Sequence, residues 1–247
     1  MMVGRLTLRA AGSNAPFVGI GDTSDITVTP KTKDLDWPDH SAMGGGKIKT
    51  ISRIDSIEFS CTVSNISPQN IAIAARGAVS SVISVTAITD ETIAVTSIKA
   101  GDIYYFARVP DLTKPITVTN SAATTTYDAG DDYVLRLSGI EIIAGTTIVV
   151  GDIKVSYTPL IEDAVDALVG SQKEFELYFE GQNEAMDGAV RVFQGWKWKP
   201  NPSATSYIDD KPQSMKLVGE LLRDDTKAIH GDMYSRYYRD RLVRPAA

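Results

Sequence analysis

The sequence predicts a mainly β protein in which one β domain is interrupted by a second, inserted β module. Three observations support this fold class. Most segments alternate apolar and polar residues with a period of two and are rich in β-branched residues. Residues 79–160 are rich in Val, Ile and Thr and contain closely spaced turn motifs. After residue 170 the alternating pattern of the first part of the chain resumes. We therefore expect a discontinuous domain over 1–78 and 161–247, and a β-sandwich-like module over 79–160.

The clearest strand of the first domain is predicted over residues 52–65. Apolar side chains, Cys61 among them, would share one face from Ile57 to Val63. An apolar face opposite a polar face is typical of an antiparallel sheet with one wet side. The polar face of this strand carries Glu58, Ser60 and Thr62.

Three further strands are predicted after the insertion. Residues 173–180 alternate strictly, residues 190–199 form another strand, and residues 214–222 form the last clear one. On the second of these, Trp196 and Trp198 are expected on the same face. The polar face of the first carries Glu174, Glu176 and Glu180.

One helix is predicted with clear boundaries. Ser67 can cap it, Pro68 suits its first turn, and Gly77 would end it. A second helix is expected over residues 162–169, before Gly170. By contrast, residues 36–46 contain turn residues and a triple glycine, which predict a flexible loop.

Composition narrows the classes of function. The 247 residues carry a formal net charge of -6, which argues against a protein that wraps DNA or coats an anionic membrane. The segment 79–160 holds nine acids against five bases and so accounts for most of this charge. No apolar stretch approaches the ~18 residues of a spanning helix, and the first ten residues lack a signal-peptide core.

The chain contains few cysteine and histidine residues that could serve in catalysis. The chain has one cysteine and two histidines, Cys61, His40 and His230, and Cys61 is expected to be a buried small hydrophobe. Glu174 and Glu176 share a strand face at a spacing of roughly 7 Å, which could suit general acid/base catalysis. Since no further polar constellation supports them, we expect no enzyme activity and no cofactor.

Two loops could hold ions, although a structural explanation is favoured for both. Asp128, Asp131 and Asp132 cluster near a glycine and could bind calcium, but the regular calcium-loop pattern is absent and acidic β-turns are the commoner explanation. The glycines before Lys47 suggest a phosphate loop, but the remaining pattern of such a loop is missing. We therefore expect no metal site.

Several motifs, taken in their order along the chain, resemble a known family. Residues 17–30 read FVGIGDTSDITVTP, and the triple glycine and residues 52–58 follow. The helix reads SPQNIA, and residues 173–184 read KEFELYFEGQNE. The insertion carries TTY, GDDY and VSY motifs. In the order of these motifs and in its alternating β pattern, the chain resembles the tail tube proteins of long-tailed, non-contractile bacteriophages over nearly its whole length.

The resemblance implies an assembly. Such proteins form stacked rings, usually hexameric, in which each subunit gives strands to a continuous β-barrel around a channel and a helix packs outside it. The 79–160 module would be an Ig-like domain that projects outward. A loop over residues 37–49 would reach the next ring; its candidate residues are Trp37, His40, Met43, Gly44, Gly45, Gly46 and Lys47.

The resemblance also implies partners and a place. The partners would be further copies of the chain, other tail proteins such as tape measure, tail tip and terminator, and double-stranded DNA that passes through without specific binding. No membrane is expected, and the protein would belong to the virion after assembly in the host cytoplasm. Arginine and large aromatic residues are typical of interfaces. The candidates for subunit contact are Trp196, Trp198, Arg236, Tyr238, Arg239 and Arg241.

The two polar strand faces fit a channel wall in this interpretation. A basic wall would bind DNA, whereas an acidic or neutral wall would leave it mobile. The expected wall residues are Glu58, Ser60, Thr62, Glu174, Glu176 and Glu180. Two alternatives stay open: a ring protein of a contractile tail or secretion tube, and a phage surface module that binds carbohydrate.

Overall fold

A computed structural model describes residues 2–41, 43, 45–170, 173–186, 188–204, 206–207, 213–227 and 235–243. Within these ranges the chain is mainly β, as predicted, with a single α-helix, α1 (Pro68–Ala75), and one 3-10 turn, Glu184–Met186. The strands are β1 (Met2–Ala10), β2 (Val18–Gly19), β3 (Thr23–Pro38), β4 (Lys47–Val63), β5 (Ala78–Val82), β6 (Ile88–Val95), β7 (Ile103–Tyr105), β8 (Thr117–Asn120), β9 (Thr126–Tyr127), β10 (Tyr133–Arg136), β11 (Gly139–Ile142), β12 (Gly151–Tyr157), β13 (Glu162–Asp166), β14 (Phe175–Asn183), β15 (Ala189–Asn201), β16 (Met215–Leu221) and β17 (Tyr238–Val243).

The chain divides into two compact units. The first, here called the split unit, combines Met1–Val79 with Val165–Ala247, and the second, the inserted unit, is Ser80–Ala164. The chain passes from one to the other through β5 and β13, which pair with each other. Each unit has a buried core of its own.

The split unit is built on one antiparallel sheet. Its strand order is β2-β1-β14-β15-β16-β4-β3, and β17 pairs with β15 beside β16. The sheet is open, since the path begins at the short β2 and ends at β3. The strands predicted over 52–65, 173–180, 190–199 and 214–222 correspond to β4, β14, β15 and β16 and are confirmed.

One face of this sheet carries the core, and α1 packs on it. The predicted helix is confirmed: Ser67 is its N-cap, and the Ser67 hydroxyl accepts a hydrogen bond from the Asn70 N–H. The helix ends at Ala75, and its C-cap Arg76, one residue before the glycine expected to end the helix, adopts a left-handed conformation at φ 48°. The buried core residues are Leu6, Leu8, Ile20, Ile57, Phe59, Cys61, Val63, Ala74, Leu177, Phe193, Trp198, Met215, Leu217 and Leu221.

A bulge in β15 changes the expected faces of its two tryptophans. Phe175 of β14 lies opposite Trp198, but Leu177 lies opposite Gly195, so β15 holds one extra residue there. The bulge turns Trp198 to the core face, where it meets Phe59 edge-on with ring centroids 5.6 Å apart. Trp196 stays on the opposite face. The prediction that both share one face is therefore wrong.

Strands β3 and β4 extend beyond the sheet as a two-stranded ribbon. They pair from Thr23 and Val63 out to Pro38 and Lys47, and the Asp39 N–H bonds the Gly46 carbonyl at 2.7 Å. We call residues 29–55 the arm; every described residue in it except Asp39 is exposed. The predicted loop is thus shorter than expected, because cross-strand pairing carries regular structure through residues 36–38 and resumes at 47.

The inserted unit contains a four-stranded sheet, β6-β12-β8-β9, and a three-stranded sheet, β10-β11-β7. Side chains from both build one core, in which Phe106 and Tyr157 stack at 5.0 Å. The second predicted helix, over 162–169, is wrong: Glu162–Asp166 is strand β13. The ladder with β5 overrides the weak helical pattern there. In the described part of the chain, no helix combines the length and hydropathy needed to cross a membrane.

Candidate functional site

The polar face of the split unit, opposite its core, holds the six predicted wall residues. Cross-strand partners share a face in an antiparallel sheet, so the register assigns them. Glu58 lies opposite Glu220, and Thr62 lies opposite Lys216. Glu180 lies opposite Arg5. The other three, Ser60, Glu176 and Glu174, follow from their contacts with polar-face partners: Thr27, Arg9 and Lys197.

The carboxylates of this face are matched by bases. Lys31 Nζ lies 2.6 Å from Glu58 Oε2. This hydrogen bond, with the attraction between the two charges, lowers the pKa of Glu58 and raises that of Lys31. Lys197 Nζ lies 3.5 Å from Glu174 Oε2. Glu58 therefore stays ionised while its charge is neutralised locally.

Glu176 is a buried anchor rather than an open wall residue. Its side chain accepts hydrogen bonds from Arg9 Nε at 2.8 Å and from Gln194 Nε2 at 2.9 Å. The Arg9 guanidinium also stacks on Phe17, 4.4 Å from the ring centroid. Only 7% of Glu176 is exposed. A carboxylate held this way ties β1, β14 and β15 together, and it is not available as a general base.

Bases outnumber acids on the polar face as described. Its acids are Glu58, Glu174, Glu176, Glu180 and Glu220. Its bases are Arg5, Arg9, Lys31, Lys197, Lys199, Lys216, Arg239 and Arg241. The expectation of an acidic or neutral face therefore does not hold for the described residues. The sequence pattern on β4 and β14 missed the bases because they come from the neighbouring strands.

The arm has two chemically different sides. On one side Leu35 lies opposite Ile51, next to Trp37, and Lys33, Lys49 and Arg53 flank this apolar strip. On the other side the Thr50 hydroxyl bonds Asp36 and the Ser52 hydroxyl bonds Asp34. Trp37 is 66% exposed. Within the described residues, nothing of the chain itself covers the strip.

The predicted stacking residues that the structure describes fall at the outer end of the arm. Trp37 ends β3 and Lys47 begins β4, and the two strands are further joined by an ion pair between Lys47 and Asp36. His40, Met43, Gly45 and Gly46 lie in the connecting loop, where Gly45 takes a positive φ of 67°. Gly44 lies outside the described residues.

The predicted subunit-contact residues have different surroundings. Trp198 is 1% exposed and belongs to the core, so its assignment as an exposed interface anchor is corrected. Trp196 is also buried: its Nε1 donates to the Ser235 carbonyl at 2.8 Å, and Lys227 Nζ covers its ring at 4.7 Å.

The C-terminal candidates are divided between two faces. Arg236 donates to Asp225 of its own chain at 2.9 Å. Tyr238 packs on Phe193 at 5.5 Å. Arg239 and Arg241 pair with Gln194 and Val192 on the polar face. For these last two, contact with acids of a neighbouring copy stays a prediction.

The other sequence candidates have structural surroundings. Asp132 accepts hydrogen bonds from the Thr147 N–H at 2.6 Å and the Asp128 N–H at 3.0 Å. Burial raises the pKa of Asp132, but these hydrogen bonds outweigh it and leave the pKa below its ordinary value. Burial raises the pKa of the Cys61 thiol to about 12, so it remains protonated. In the described ranges no three His, Cys, Asp or Glu residues are grouped as metal ligands.

A groove beside α1 was not predicted. It has a volume of about 460 Å³ and lies between the helix, the start of the sheet and the end of β15. Leu8, Val18, Ile73 and Phe175 make its walls apolar. Two cations, Arg76 and Lys173, also line it, and none of its described lining residues is acidic. The residues come from five separate segments of the chain, so no local sequence motif predicts the groove.

A family model described as Protein of unknown function UCP028589 matches residues 1–241. The chain belongs to this family. The match to UCP028589 runs through both the split unit and the inserted unit. No curated protein matches the chain.

Proposed function

We propose that the chain is the structural subunit of a bacteriophage tail tube of the non-contractile type. In this proposal copies join into hexameric rings, the rings stack into a tube, and the tube carries DNA to the host. The observation that carries the proposal is the exposed arm.

The arm is difficult to explain for a protein that works alone. A two-stranded ribbon is at best marginally stable in water, and this one exposes a strip of Leu35, Trp37 and Ile51. Covering apolar side chains stabilises by about 25 cal/mol per Å² removed from water. We therefore expect the strip to be covered by a partner surface. In the proposal, that surface belongs to a subunit of the next ring.

The open sheet supports joining within a ring. The outer side of β3 and the Met2–Arg5 part of β1 have no sheet neighbour in the described chain. Unpaired strand edges can pair with another chain. Edge-to-edge pairing of copies would continue the sheet around a channel without rearranging either unit.

In the proposal, the polar face lines the channel. Because bases exceed acids on this face, the wall would attract the DNA phosphates rather than repel them. At Glu58 and Glu176 the negative charge is neutralised by a paired base, so neither position strongly attracts or repels DNA. Passage of DNA in this proposal thus depends on salt.

Negative-stain electron microscopy of the purified full chain, over a range of concentrations, tests the proposal. Rings or tubes with a central hole are the expected result. A chain that stays monomeric at the highest concentration, with or without short tube fragments added as nuclei, contradicts it. A variant with Trp37→Ser and Leu35→Ser is the matched control, since it should stay folded but remain single particles.

A second candidate function is glycan binding by the inserted unit. On the outer face of its three-stranded sheet, Tyr105 is 66% exposed next to Gly139 and near the ion pair of Arg136 and Glu141. An exposed ring with flanking polar groups can stack on a sugar. A glycan array probed with wild type and Tyr105→Ala separates this role from the scaffold role.

A further inference from the structure

The groove beside α1 is built to take an occupant with both an apolar and an anionic part. Its walls are apolar, and Arg76 and Lys173 bring two positive charges. The Arg76 Nε is buried and has no hydrogen-bond partner among the described residues. A buried donor without a partner is unfavourable, so a bound acceptor would stabilise it.

The backbone at Arg76 also points to a role for its side chain. Arg76 adopts φ 48° and ψ 43° where the helix ends, a position at which glycine is usually preferred. A bulky residue there is strained, although Gly77 follows directly and could have provided the turn. Arginine is thus less favourable than glycine in this backbone conformation, and its side chain lines the groove.

The end of the arm offers an apolar ring and one acidic group that is not held in an ion pair. Trp37 is a large apolar side chain that is 66% exposed, so it is not held in the groove of its own chain. Asp39 lies two residues beyond it, whereas Asp36 lies on the other side of the arm and Lys49 lies opposite Trp37. Asp39 Oδ1 accepts two hydrogen bonds from Ser41, and among the described residues the other carboxylate oxygen has no partner. Asp36 is already engaged by Lys47, so Asp39 is the better anionic contact.

We propose that the groove beside α1 is the receptor for the arm of a second copy of this chain, with Trp37 between the apolar walls and Asp39 facing Lys173 and Arg76. This inference rests on the proposed function, since it assumes self-association. It adds the docking site and the polarity of the contact. A volume of about 460 Å³ admits an indole ring with room for a neighbouring side chain.

Disulfide trapping between two single-site variants tests the contact. Val18 lines the groove and is 63% exposed, and Met43 is fully exposed near the arm end. Because Cys61 is 1% exposed, it should not compete. Mixing Val18→Cys with Met43→Cys should give a cross-linked dimer under mild oxidation. The matched control is Leu137→Cys, 80% exposed in the inserted unit, which should give no dimer with Met43→Cys.

A charge exchange tests the polarity. Lys173→Glu or Asp39→Lys alone should lower the cross-linking yield about threefold, and mixing the two variants should restore it. Restoration supports the paired contact; equal yields throughout overturn it.

Tryptophan fluorescence gives an independent measurement. Trp196 and Trp198 are already buried, so a blue shift on self-association would come from Trp37. Trp37→Phe should remove the shift.

The outcomes separate this inference from the proposed function. Tubes without the Val18–Met43 cross-link overturn the docking site but leave the tube function standing. The cross-link without tubes supports the docking site and counts against the tube function. Neither tubes nor the cross-link overturns both.

Discussion

Two tryptophans two positions apart show how single residues acquire different roles. Trp198 is enclosed by Phe59 and Phe175, whereas Trp196 is covered by Lys227 and the Ser235 carbonyl. The bulge in β15 separates them. Trp198 therefore stabilises the split unit through its core.

Removing the Trp198 ring should strongly destabilise the split unit. Trp198→Ala leaves a large cavity, which typically costs about 3–5 kcal/mol of unfolding free energy. Urea unfolding monitored by circular dichroism measures it. Tyr207→Ala, at a position 84% exposed, is the control and should stay within about 0.5 kcal/mol of wild type. A similar loss for both would mean that Trp198 is not a core residue.

Asp132 should make the inserted unit sensitive to acid. Its folded pKa lies below the ordinary value of 3.8, so its stabilisation is complete above about that pH and is lost as the pH falls through the folded pKa. Asp132→Asn should lower the unfolding free energy at pH 7 by about 1–3 kcal/mol and flatten the acid dependence below pH ~4. Asp131→Asn is the control. Identical acid profiles for wild type and Asp132→Asn would contradict this.

Cys61 should be inert in the folded protein. Its thiol is buried and its pKa is raised to about 12, so almost no thiolate is present at pH 8. A thiol reagent at pH 8 should label Cys61 only at the rate of unfolding, and in urea at once. Rapid labelling of native protein would show that β4 does not hold this residue in the core.

At the scale of elements, different sides of the arm serve stability and association. Its strands pair along their length, and the Asp34 and Asp36 side chains add cross-strand bonds on one side. The apolar strip on the other side contributes little to the chain's own core. Substitutions there should act on association rather than on folding.

Replacing Leu35 and Ile51 by threonine tests this separation. The double variant should unfold within about 0.5 kcal/mol of wild type per site, because both side chains are already exposed. Sedimentation velocity should show weaker self-association. The control is Val134→Thr, an exposed apolar residue of the inserted unit. Loss of stability with unchanged association would assign the strip to folding instead.

At the scale of the whole molecule, the two units carry separate cores. No residue belongs to both core clusters of the described chain. Ser81 Oγ bonds Asp163 at 2.5 Å, so the two ends of the inserted unit lie next to each other. Close ends make removal of an inserted domain tolerable.

Replacing residues 80–164 by a short Gly/Ser linker should therefore leave a folded split unit. Scanning calorimetry should show one cooperative transition for the shortened chain. Electron microscopy of the same sample should still show rings or tubes. A shortened chain that is unfolded would mean that the two units depend on each other.

Local patterns predicted most of the strands and the helix. Alternation identified β4 and β14, because period two places whole sets of side chains on opposite faces. Ser67 and Pro68 identified α1, because capping is local chemistry. The same locality explains the failures at β13 and at Trp198, where a ladder with β5 and a bulge in β15 decide the outcome.

The sequence by itself determined that this chain is mainly β, acidic overall and poor in cysteine and histidine, since these depend on composition and short periods. Tertiary structure alone decided the electrostatic character of the polar face. The glutamates of β4 and β14 follow a visible pattern, but Lys31 and Arg9 arrive beside them from strands elsewhere in the chain. It also decided the groove beside α1. The groove forms where distant segments meet, and the order of the strands in the sheet decides which segments meet. That order cannot be predicted from any single segment.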